Sequence, residues 1–204
     1  MGRKIDPRRM NEDKIILHLC AKEGSDSKPY RDAGYDVRII DENINVLHYK
    51  PPFNVYGIIA NPPCTMFSMA RTNAKTPRNL EAGMLLVKAC LSIVWECQYR
   101  IVRKARPSMP LKFWVLENPS TGYLRWFLGH PVFEYCQSEY GASLTKRTAL
   151  WGCFNKPKRP LLFNQLPSGY KLGSKKEPGS HTDADGHRSR CPIDFAKAFY
   201  EANP

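Results

Sequence analysis

"VYGIIANPPCTMFS", residues 55–68, decides how this chain is read. Val55 to Ala60 is a short, mostly apolar run, the form taken by a strand buried on both faces in a parallel sheet. Proline has no N–H to give to a ladder, so Pro62 and Pro63 end the strand. Cys64 therefore emerges at the carboxyl edge of the sheet, where open α/β folds bind their ligands. A cysteine in that position either fills a turn or reacts.

Outward from this strand, the chain alternates. Lys14 to Cys20 and Tyr35 to Ile40 read as strands, with a polar loop, Ala21 to Ser27, and a short helix around Lys28 to Ala33 between them. Thr76-Pro77 reads as a helix start, threonine capping and proline in the first turn. Met84, Val87, Leu91, Val94 and Trp95 then recur at helical spacing in a helix expected from Leu80 to about Ala105. Leu111 to Leu116 reads as a further strand with Glu117-Asn118-Pro119 at its carboxyl end. Two more strands are expected at Val132 to Tyr140 and Thr148 to Cys153, and a last helix at Phe195 to Glu201. Strands alternating with helices predict a doubly wound, Rossmann-like α/β sheet flanked by helices, in a single domain. Residues 1–13 read as a basic arm, 14–154 as the catalytic domain, 155–190 as an irregular basic segment and 191–204 as a helix packing on that domain.

The chain has 204 residues, with 31 Lys plus Arg against 19 Asp plus Glu and a formal charge of +12. Such an excess suits a polyanionic partner and salt-sensitive association with nucleic acid. No apolar stretch reaches the ~18 residues of a membrane span, and Met1 to Lys14 lacks the apolar core of a signal peptide. The seven cysteines form no C-x-x-C pair and no zinc-ligand spacing. No metal and no membrane are expected, and a reduced, cytoplasmic setting is. Cys20, Cys90, Cys97 and Cys136 read as small buried hydrophobes.

Cys64 and Glu117 are 53 positions apart. In a parallel sheet both strand ends lie at one edge and can face one site. A thiol and a carboxyl sharing a cleft suit attack on an electron-poor ring. The thiolate adds to carbon 6 of a pyrimidine while the acid hydrogen-bonds the ring nitrogen and exocyclic amine, and carbon 5 becomes nucleophilic. One hard step is thereby split into two easier ones.

With these residues in view, the chain resembles the cytosine-C5 DNA methyltransferases, particularly the short phage or prophage type. "PPCTMFS" (62–68) is similar to the nucleophile loop and "WVLENPSTGYL" (114–124) to the Glu-Asn motif that engages cytosine. "YGASLTKRTALWG" (140–152) resembles the later basic motif, and "HRSRCPIDFAKAFYEANP" (187–204) the closing segment. "LHLCAKEGSDSKPYRDAGYDVRIID" (17–41) occupies the place of the cofactor motif. The resemblance implies Cys64 as nucleophile and Glu117 as the activating acid. It implies that Ser68, Arg71, Asn118, Lys146 and Arg147 contact the base, its sugar or the DNA backbone. It further implies S-adenosylmethionine as cofactor, lined by Cys20, Ala21, Gly24 and the backbone of Pro63, with Asp41 on its ribose. DNA is the implied partner, a monomer the implied state, and the cytoplasm of a bacterial host the implied setting. The target base must leave its stack to be reached.

The chain departs from that pattern in the cofactor loop. The family has an acid in the first strand and a glycine-rich turn after it, where this chain has His18, Cys20, Lys22 and Gly24; Asn45 stands where an acid often follows the second strand. No long target-recognition domain follows the basic motif. Two alternatives stay open: a relative that holds DNA without transferring methyl groups, and an enzyme acting on carbon 5 of a free pyrimidine nucleotide.

Overall fold

The computed structural model describes residues 11–71, 74–99, 111–142, 146–160 and 190–204. Six strands form one sheet: β1 (Ile15–Leu19), β2 (Asp36–Ile40), β3 (Val55–Ala60), β4 (Phe113–Pro119), β5 (Phe133–Cys136) and β6 (Arg147–Cys153), in the order β2-β1-β3-β4-β6-β5. Among the described residues the α-helices are α1 (Lys28–Asp32), α2 (Leu80–Tyr99), α3 (Leu124–Leu128) and α4 (Ile193–Ala202). The fold is mixed α/β, a six-stranded sheet flanked by helices and compatible with a Rossmann-like arrangement.

β1 to β4 run parallel, joined where successive strands are neighbours by helical crossovers. The sheet is not parallel throughout. β6 runs against both of its neighbours, β4 and β5. The link from β5 to β6 spans only residues 137–146, too short for the crossover that a parallel pair requires. The reversal has a consequence for the site: the amino end of β6 lies beside the carboxyl end of β4, with Glu117 opposite Leu150 and Pro119 opposite Thr148.

Side chains alternate across the sheet. Leu17, Leu19, Ile58, Ala60 and Leu116 pack with Val87, Cys90 and Ile93 of α2 on one face. Ile16, Ile59, Phe113 and Val115 pack with Tyr30 of α1 and Phe195 and Phe199 of α4 on the other. The period of two sends His18, Asn61 and Glu117 to this second face, just past Ile16, Ile59 and Val115. The carboxyl end of the chain is tied down there: Tyr30 Oη donates to the Asn203 carbonyl at 2.8 Å and Tyr56 Oη to that of Pro204 at 2.7 Å.

Several boundaries differ from expectation. β4 continues through Glu117, Asn118 and Pro119 because β6 goes on pairing with it. β5 stops at Cys136, and Gln137–Tyr140 instead makes a 3-10 turn closed by Gly141 in the left-handed region. α2 starts at Leu80, where the Asn79 side chain, not Thr76, accepts the Ala82 N–H at 2.8 Å. Positions 100–105 of the expected helix, 1–10 of the expected arm and 161–189 of the expected irregular segment lie outside the described residues. Among the described residues, no helix is long and apolar enough to cross a membrane.

Candidate active site

At the end of β3 the Asn61 N–H donates to the Leu19 carbonyl at 3.0 Å, and pairing then stops at the prolines. The chain turns at once. The N–H groups of Phe67 and Ser68 both donate to the Cys64 carbonyl, at 2.9 and 2.8 Å, so Cys64 opens a single tight turn and its half-buried side chain stands at the sheet edge. Asn118, fully buried, donates from Nδ2 to the Pro62 carbonyl at 2.9 Å and clamps this loop to β4. Pro63 lies exposed on the loop's outer side.

Glu117 faces the same edge. Lys146 Nζ lies 3.5 Å from its Oε1 and Asn61 Nδ2 3.5 Å from its Oε2. Both charged side chains are about one-fifth exposed (21% and 22%), so their attraction is less screened than at an open surface. Cys64 feels both. Burial pushes its thiol above the ordinary value; the Lys146 charge pulls it down, and the Glu117 charge pushes it up again. For Lys146, burial favours loss of the proton, but Glu117 and Cys64 outweigh it and hold the ammonium more firmly than usual. Three groups distant in sequence thus share one electrostatic site: Cys64, Glu117 and Lys146.

Behind them runs a buried polar chain. His18, 2% exposed in the middle of β1, has Nδ1 2.9 Å from Ser27 Oγ and Nε2 2.8 Å from Asn61 Oδ1, with Asp26 Oδ2 at 3.6 Å. Burial alone would raise the Asp26 carboxyl, but hydrogen bonding and charge from His18, with help from Cys191 and Asn61, bring it below the usual carboxylate range. A pocket of about 30 Å³, open to solvent, lies here and includes Asp26, Asn61, Glu117, Lys146, Cys191 and Phe195 in its wall.

The other residues singled out in the sequence are spread around this edge. Cys20 follows β1 with φ +55°, and its Sγ turns to Cys90 Sγ at 3.8 Å, toward the α2 face. Ala21 is buried, its N–H donating to the Ile40 carbonyl. Gly24 (φ +71°) lets the backbone pass so near Ile39 that a Cβ there would sit 2.6 Å from Ile39 Cδ1. Asp41, at the end of β2, accepts the Asn43 N–H at 2.9 Å. Ser68 Oγ accepts the Ala70 N–H, and Arg71 donates to the Thr76 carbonyl and approaches Met66 Sδ. Arg147 is exposed at the start of β6, and no hydrogen bond or ion pair joins its side chain to Glu117 or Cys64 among the described residues.

His18, Asp26, Asn61, Tyr135, Gln137, Arg190 and Cys191 were not foreseen as site residues. His18 had a readable signal, a polar side chain inside the apolar run IILHL, and Asn61 follows Ile59 at the strand period. Asp26 and Cys191 had none, because only the folded chain brings the loop after β1 against the segment before α4. Among the described residues, no group of three or more His, Cys, Asp or Glu side chains is arranged to hold a metal ion. Compared with protein-family models and with curated proteins, the chain matches no family model and no curated protein.

Proposed function

We propose that the chain is an S-adenosylmethionine-dependent DNA methyltransferase that modifies carbon 5 of cytosine through a covalent adduct with Cys64. The observation that supports this most is the convergence of Cys64, Glu117 and Lys146 on one sheet edge beside a pocket. The Cys64 sulfur, as thiolate, bonds to carbon 6 of an extruded cytosine. Glu117 lends a proton to the ring nitrogen and accepts from the exocyclic amine, and Lys146 holds that carboxyl in place. Carbon 5 would then take the methyl group as the donor's methyl–sulfur bond breaks, and the ring-nitrogen proton would return to Glu117. Loss of the carbon 5 proton to water expels the sulfur from carbon 6 as thiolate and restores the ring.

When bound, S-adenosylmethionine supplies the electrophilic methyl group. The residues fit it. The pocket wall contains the ionised Asp26, suited to a cationic sulfonium or ammonium. Asp41 directly follows β2, where a ribose acceptor belongs.

Nucleosides from the DNA of cells expressing the soluble protein test this reading by mass spectrometry. 5-Methylcytosine is expected with wild type and not with Cys64→Ala; its absence with wild type rejects the reading. One observation favours the first of the two alternatives, a DNA-binding relative without transfer: Cys20 adopts a positive φ that glycine would take more easily. Calorimetry separates the two, since S-adenosylmethionine binding at micromolar concentration excludes that alternative.

A further inference from the structure

The surface next to Cys64 has a feature that methyl transfer leaves unexplained. Trp126 on α3 is 76% exposed, its neighbour in sequence Phe127 is 49% exposed, and Met69 of the nucleophile loop is 48% exposed. The Trp126 ring meets only Tyr123 among aromatic neighbours in the described residues, edge to face at 4.9 Å, so most of the indole is open to solvent. Three guanidinium groups belong to α3 and to the chain packed against its first residues. Arg78 lies 4.8 Å over the Tyr123 ring and donates to the carbonyls of Met66 and Ser68. Arg125 Nη1 lies 3.5 Å from the Ser120 carbonyl, and Arg71 donates to that of Thr76. None of these three arginines meets a carboxylate among the described residues.

This patch is continuous with the nucleophile loop. The Tyr123 N–H donates to the Phe67 carbonyl at 2.9 Å, and the Phe67 N–H donates to that of Cys64. An open indole offers a flat stacking surface, and guanidinium groups offer contacts for phosphates. A duplex shows its grooves only base edges, its rings being already stacked; an unpaired base presents a free face.

We propose that α3 and the loop 64–71 form a platform for single-stranded DNA, with one base stacked on Trp126 and the neighbouring phosphates on Arg71, Arg78 and Arg125. The assignment to DNA rests on the methyltransferase reading, but the platform is tested by binding alone. Full-length protein is titrated, by anisotropy and tryptophan quenching, with labelled 12-mer oligothymidylate, an abasic strand of equal length and charge, and a duplex. Wild type is expected to prefer the oligothymidylate to the other two. Trp126→Ala should lose about tenfold in affinity for it, Trp126→Phe should lose less, and the abasic strand should bind both proteins alike. Arg125→Gln should weaken all strands and reduce the salt dependence.

Equal affinity of wild type and a folded Trp126→Ala for oligothymidylate overturns the platform, as does a preference for duplex. So does sedimentation showing a dimer that Trp126→Ala dissolves, since a second chain would then cover the ring. If Trp126→Ala fails to fold, the wild-type comparison of oligothymidylate with the abasic strand decides alone. Platform binding without methylated product would defeat the proposed function and leave the platform standing; methylated product with a Trp126-independent affinity would do the reverse.

Discussion

Cys64 is pulled two ways, and the balance is measurable. Burial has raised its thiol, so the reactive thiolate is scarce at neutral pH and grows as pH rises through the alkaline range. Among the described residues, Lys146 is the charge acting to lower it. Removing that charge in Lys146→Met should push the thiol higher still and shift the pH profile of Cys64 alkylation, followed by mass spectrometry, to more alkaline values. An unshifted profile would mean that the ammonium does not reach the sulfur. Cys64→Ala should abolish turnover while changing stability by less than about 1 kcal/mol, since a half-buried loop thiol contributes little packing. Glu117→Gln should keep the fold and slow single-turnover transfer by about 10²–10⁴-fold, the range for a positioned acid. Cys64 and Glu117 were legible in the sequence because each follows a run that can only be a strand. Asn118 was legible as a neighbour of the site but not as a clamp: its buried amide reaches back to Pro62 across 56 residues.

At the level of elements, the reversed strand β6 does the most for the site, because it delivers Lys146 to Glu117. β6 holds β4 closely at Gly152, whose φ of +145° and lack of a Cβ let the Trp114 carbonyl oxygen pass. Gly152→Ala would set a methyl group against that backbone atom, in a conformation alanine resists. It should destabilise the protein by about 3 kcal/mol or more, read as a lowered urea midpoint. β1, β2 and β3 were legible almost to the residue, since short apolar runs bounded by turn residues leave little choice. The direction of β6 was not. Its apolar pattern, TALWGC, suits a strand running either way, and only the short link from β5 decides. α3 went unseen as well: LRWFL is too short for a helical period and exposes its largest ring.

Over the whole molecule, one pH-dependent behaviour follows from charge. The Asp26 carboxyl is held below its unfolded value, so the folded state binds fewer protons there than the unfolded one. Its contribution to stability is full above about pH 4, the ordinary carboxylate range, and is lost as pH falls through the folded value. Asp26→Asn should therefore flatten the acid side of the curve of urea midpoint against pH; an unchanged acid limb would remove Asp26 from that role. The net charge of +12 suggested nucleic acid without saying where it would bind, because sequence cannot show which arginines lack carboxylate partners. The coarser fold class, an α/β sheet flanked by helices, was legible from alternation alone. The central claim is that sulfur and carboxyl act together on one pyrimidine ring, and covalent trapping tests it most directly. The full-length protein is incubated with S-adenosylmethionine and DNA containing 5-fluorocytosine, whose carbon 5 has no removable proton, and its intact mass is measured under denaturing conditions. The expected result is a stable protein–DNA adduct with wild type and none with Cys64→Ala; identical masses for the two proteins would contradict the claim.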